Sequence, residues 1–119
     1  PDSLVFHLAK QAIAFFESQL SSASKTDSAL RYASLLGLGE AFMSENRVRE
    51  AQLKFAQVSS LDHTDRDRVA RALFRLAEST QELADPNSTG TVKAWLESIV
   101  SDYGDTLWAN PARKRLESM

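Results

Sequence analysis

Apolar residues along this chain recur at intervals of three and four, the spacing that gathers them on one face of an α-helix, and almost nowhere do they alternate as a strand requires. A first segment, from about Leu4 to Leu20, carries Leu4, Leu8, Ala9, Ala12, Phe15, Phe16 and Leu20 as a broad stripe, with Asp2 or Ser3 placed to cap its free amides. The polar connector Ser21-Ser22-Ala23-Ser24 follows. A second helix is predicted from Thr26 or Asp27 to about Ser44, with the stripe Leu30, Ala33, Leu35, Leu38, Ala41 and Phe42 and the turn Glu45-Asn46 after it. The third, from about Val48 to Ser59, presents Val48, Ala51, Phe55 and Val58. Thr64, three residues before Asp67, forms a variant capping box that opens a fourth helix reaching about Leu83. Asp85 to Gly90 reads as a loop, because Pro86 cannot continue a helix and Asn87 and Gly90 tolerate positive φ. A fifth helix is predicted from Thr91 to Ser101, and Asn110 as N-cap before a first-turn Pro111 opens a sixth to Glu117. The expected fold class is all-α, six helices with short connections that make neighbours antiparallel.

An internal repeat organises these helices. Leu35-x-x-Leu38-Gly39-x-x-Phe42 is followed after the turn by Ala51-x-x-x-Phe55 and Val58; Leu73-x-x-Leu76-Ala77 is followed by Val92-x-x-x-Leu96 and Ile99 at the same offsets. In the second copy Ala77 stands for Gly39 and Thr80 for the aromatic Phe42. Small residues at Gly39 and Ala51 let two helices approach while Phe42 and Phe55 fill the space on either side, so Leu38, Gly39, Phe42, Ala51 and Phe55 are predicted to share one buried contact group.

In residue type and spacing this pattern resembles the tetratricopeptide repeat, over roughly Leu30 to Leu116. Ala12 to Glu17 looks like the second helix of a preceding repeat, so residues 1–119 are expected to form a single domain excerpted from a longer protein. The stretch Tyr103-Gly104-Asp105-Thr106-Leu107-Trp108, leading into Ala112-Arg113-Lys114-Arg115-Leu116, is similar to the closing segment of bacterial cell-envelope proteins of this family, such as the Tol-Pal coordinator and the outer-membrane-assembly lipoproteins. His63 and Gly104 stand where the family carries proline. The resemblance implies hairpins stacked as a short right-handed superhelix, a non-catalytic protein-binding role, and a bacterial envelope or periplasmic location, the cytoplasm being the alternative.

Composition narrows the chemistry. The 119 residues include 14 Lys and Arg against 16 Asp and Glu, a net charge of −2, with 43% apolar residues, which suits one domain with a real core. Cysteine is absent, which removes disulfides and thiol chemistry. No apolar run approaches the roughly 18 residues of a membrane span. The acidic balance argues against a nucleic-acid binder. Gly37-Leu38-Gly39 lies within a helical pattern and lacks the preceding strand of a phosphate loop. His7 and His63 lack a partner at zinc-ligand spacing, and Asp62, Asp65 and Asp67 lack the glycine and closing glutamate of a calcium loop, so capping is their expected role. Asn87-Ser88-Thr89 is a formal glycosylation triplet, and no serine has the setting of a hydrolase nucleophile. No enzyme, metal or cofactor is therefore expected.

Arg66, Arg68, Arg71 and Arg75 form the sharpest charge feature; interleaved with Asp65, Asp67 and Glu78 they read as a solvated face, or as a stripe for carboxylates or phosphates. Three functions compete: an interaction module for a peptide, a partner domain or another copy; a recruiting extension of a larger enzyme such as a membrane-associated zinc metallopeptidase; and a nucleic-acid-binding helical domain. For the first, the resemblance implies a concave binding face on which Leu36, Glu40 and Met43 lie beside Phe74, Glu78 and Gln81, with Arg71 and Arg75 on the flank. Phe74, off the stripe of Leu73, Leu76 and Thr80, is expected either to anchor a ligand or to pack against the adjacent repeat or the fifth helix.

Overall fold

A computed structural model of the chain describes residues 2–23 and 27–119, without the side chains of 2 and 3. The side chains of the predicted cap, Asp2 or Ser3, are not among those described, and the connector residue Ser24 and a start at Thr26 lie outside the described residues. Six helices follow one another: α1 (Asp2–Ser22), α2 (Ser28–Ser44), α3 (Val48–Leu61), α4 (Arg66–Glu82), α5 (Thr89–Asp102) and α6 (Ala109–Glu117). Among the described residues there is no strand. Each helix packs on its neighbours in sequence, and α2 also lies against α4. The molecule measures 38 × 36 × 23 Å, so its short dimension is about two helix diameters. Among the described residues no helix is long and apolar enough to cross a membrane.

Local chemistry moves three predicted boundaries. Thr64 does not cap α4, because its amide and hydroxyl both donate to Asp62 at 2.9 and 2.7 Å; Asp65 takes over, accepting from the Arg68 amide at 3.0 Å. The predicted loop 85–90 contracts to a 3-10 turn, Pro86–Ser88, held by the Asn87 amide on the Asp85 carboxylate, and α5 begins at Thr89. The sixth helix starts two residues early with Trp108 as its N-cap, and the Asn110 side chain instead accepts from Arg113. Asp27, one of the two predicted starts of α2, caps it by accepting the Leu30 amide at 3.2 Å, and Asn46 takes the left-handed turn after α2 with φ of 61°.

The predicted contact group is present. Leu38, Phe42, Ala51 and Phe55 are buried in one cluster with Leu76 of α4, and the repeat offsets pick out two equivalent sets, Ala51, Phe55 and Val58 and then Val92, Leu96 and Ile99, all essentially without solvent contact. The second set belongs to another cluster with Ala70, Phe74, Ala77 and Ala112. Helix α4 is thus shared: Ala72 and Leu76 face the first core, while Ala70, Phe74 and Ala77 face the second. The α1 stripe divides differently from expectation. Ala9 and Ile13 are buried, while Leu4, Leu8 and Phe15 face solvent, because α2 is the one helix packed closely along α1.

Gly37 and Gly39 flank Leu38 as packing sites for aromatic rings from opposite sides. A Cβ on Gly39 would lie 2.6 Å from the Phe55 ring, and one on Gly37 would collide with the Phe16 ring. Phe55 is fully buried and cannot yield, so Gly39→Leu is expected to cost about 1 to 3 kcal/mol in overpacking. Chemical denaturation measures it, and a variant that unfolds with the wild type refutes the α2–α3 contact.

Candidate functional site: a groove and its charged wall

Arg71, Arg75 and the acids around them form a continuous lattice across three helices. Arg71 donates through Nε and Nη2 to the two Glu40 carboxylate oxygens at 2.9 and 2.5 Å, a bidentate pair between α4 and α2. Arg75 donates to the same Glu40 at 2.9 Å and to Glu78 at 2.7 Å. Arg115 of α6 then donates to Glu78 at 3.1 Å and to the Gln81 side-chain oxygen at 2.7 Å. Burial pulls the Arg75 guanidinium down, yet the hydrogen bonds and charges of Glu78 and Glu40 outweigh it and raise its pKa above the ordinary value. The cations also lie over aromatic rings: Arg75 is 5.1 Å from the centre of the Trp108 ring and Arg115 is 5.7 Å from that of Phe74.

This arrangement revises the expected binding face. Phe74 is only 6% exposed and is not a surface anchor: α5 and α6 close over it, and its ring packs on Trp108 at 5.3 Å between centroids. Leu36, 5% exposed, belongs to the first core. Glu40, Arg71, Arg75, Glu78 and Gln81 do converge, but they bind one another. Met43 is half-buried against the first core, at the edge of a shallow hollow of about 410 Å³ beside the lattice.

A larger groove, about 550 Å³, opens on the other side of Glu40 and Arg71. Phe16 of α1 and Ala33, Leu36 and Gly37 of α2 supply apolar walls; Asp65, Asp67 and Arg68 from the start of α4 form one rim; Leu107 and Trp108 form another. Four bonds between the first turn of α4 and the Leu107 segment hold that segment in place, one of them from the Arg66 Nε to Asp105 at 3.2 Å. Arg66 donates to the Asp102 carbonyl and to Asp105, each at 2.6 Å, and Asp67 accepts the Leu107 amide at 3.3 Å. Leu107 is nonetheless 84% exposed, the most exposed large apolar side chain among those described.

Beneath the rim, Asp62 is 1% exposed and receives the Arg68 Nε at 2.5 Å in addition to both Thr64 donors. Burial pushes its carboxyl up, but the Arg68 and Thr64 hydrogen bonds and the Arg68 charge prevail, and its pKa lies below the ordinary aspartate value. Of the three aspartates expected to cap, Asp65 does so, Asp62 anchors Arg68, and Asp67 positions Leu107. All four arginines of the stripe are ion-paired. Among the described residues no three His, Asp or Glu side chains converge as a metal site would need. No known protein family, curated protein or solved structure matches this chain.

Sequence reasoning missed Leu107, Phe16 and the acidic rim. Leu107 falls between two helices, outside any periodic pattern, and its exposure depends on bonds from residues about forty positions earlier. The only local signal was a leucine beside a tryptophan in a segment otherwise rich in turn-forming residues.

Proposed function

We propose that the chain is a non-catalytic interaction module of tetratricopeptide type, and that a peptide or partner domain docks in the groove between α1, α2, α4 and Leu107. The observation that carries this reading is the groove itself, which has an apolar floor, polar rims and a large exposed leucine fixed at its edge. Exposed apolar surface of this kind, ringed by polar groups, marks interaction sites. The two-layer thickness and the α2–α4 contact support stacked hairpins whose first helices share a face, the arrangement of a short superhelix. The closing-segment resemblance adds a bacterial envelope location, which fractionation would overturn by finding the full-length protein free in the cytoplasm.

Selection from a library of random peptides tests the module reading without a known partner. Peptides retained by the wild-type chain are expected to bind a Leu107→Ser variant about tenfold or more weakly, a loss of about 1.4 kcal/mol or more, while both proteins melt together. If every selected peptide binds the two proteins equally, or none is selected, the groove is not the docking surface.

A further inference from the structure

We infer that the groove selects a basic amphipathic segment, one in which an apolar side chain seated against Leu107 and Phe16 is followed within about one helical turn by Lys or Arg. This rests on the module reading above and adds the chemistry of its partner.

The argument is one of uncompensated charge at a mouth lined with apolar surface. On the Glu40 side the charges cancel: Glu40, Glu78 and Glu82 face Arg71, Arg75 and Arg115 around the neighbouring hollow, and the four closest of these pairings are direct salt bridges. On the α4 side they do not. Arg68 faces two carboxylates at once, the buried Asp62 at 2.5 Å and Asp65 at 3.6 Å. Arg66, the next cation, turns away to Asp105 and the Asp102 carbonyl. Asp67 forms no salt bridge among the described residues, and the bond it accepts comes from the neutral Leu107 amide. Between them Asp65 and Asp67 leave about two negative charges on the rim next to the one that carries Leu107, to which Asp67 is joined by the Leu107 amide. An acidic partner side chain would meet repulsion there, and a basic one would find partly exposed carboxylates beside an apolar seat. The net charge of −2 has the same sign and favours the approach of a basic segment.

Two pools of synthetic helical peptides, identical in their apolar positions and carrying either Arg or Glu one turn from them, provide the probe. The readout is fluorescence anisotropy with the intact chain, at about 50 and about 300 mM salt. The Arg pool is expected to bind about tenfold or more tightly than the Glu pool at low salt, and the difference is expected to shrink at high salt. The double variant D65N/D67N keeps an N-cap oxygen and an acceptor for the Leu107 amide, so it should fold as before, yet bind the two pools within about threefold of each other. Equal or tighter binding of the Glu pool, or Arg preference that survives in D65N/D67N, overturns the inference. If both pools bind equally and Leu107→Ser abolishes both, the charge assignment fails while the groove stands. Binding by neither pool overturns the inference and the groove together.

Discussion

Truncating Phe74 to alanine is expected to lower the stability of the chain by about 3 to 5 kcal/mol, the range for removing a buried aromatic ring from a packed core. The ring fills the junction between α4, α5 and α6, touching the cluster of Ala70, Ala77, Val92, Leu96, Ile99 and Ala112 and packing against Trp108. Because α4 lies between two cores, the cavity cannot close without moving α6, whose own seat depends on Ala112 and on the Arg115 bonds to Glu78 and Gln81. Chemical denaturation with a two-state fit gives the number. A loss below about 1 kcal/mol would mean that α6 does not close over Phe74, and that the ring is free to act as the surface anchor the repeat register implied.

Removing the Asp62 side chain is expected to cost about as much, about 3 to 5 kcal/mol for Asp62→Ala near neutral pH, since it leaves Arg68 without its closest partner in a largely buried position. The two Thr64 donors lose their acceptor as well. The contribution should depend on pH in a definite direction. The folded carboxyl titrates below the ordinary aspartate value, so the unfolded chain binds the proton more readily. The stabilisation is then fully present above the unfolded value, about pH 4, and is lost as pH falls through the lower folded value. Denaturation of wild type and variant at several pH values should show the gap between them constant near neutrality and narrowing in acid. A gap that widens as the pH falls would contradict the assignment of Asp62 as the carboxylate held ionised by Arg68 and Thr64.

The six helices and their buried faces were largely legible because their signals are local or repeat at a fixed offset. Ala51, Phe55 and Val58 and their counterparts Val92, Leu96 and Ile99 announce the buried face of each second helix by spacing alone. Caps were less legible, since Thr64 and Asp65 compete for one role and the outcome turns on a buried acceptor, Asp62, that no local rule reveals. Phe74 was ambiguous because a helix packed on two sides has two apolar stripes. Ala72, Leu76 and Thr80 mark the first, which faces α3; Ala70, Phe74 and Ala77, spaced by four and three and joined by Leu73, mark the second and could have been read as such. Glu40, Arg71, Arg75 and Glu78 were grouped from the sequence, but neither Arg115 nor the pairing among them was, because opposite charges on α2, α4 and α6 meet only once the helices are stacked. Leu107 lay beyond reach, since a side chain held out in solvent by distant hydrogen bonds leaves no periodic trace.

Amide NMR of the chain during titration with the tightest-binding selected peptide tests the central claim most directly, because it locates the docking surface on the molecule. The account predicts the largest shift changes at Gly37, Asp65, Asp67, Leu107 and Trp108 around the groove, and little change along the exposed side of α3 at Leu53 and Leu61. Changes concentrated on α3 or on the outer face of α5, with Leu107 and its neighbours unmoved, would contradict it.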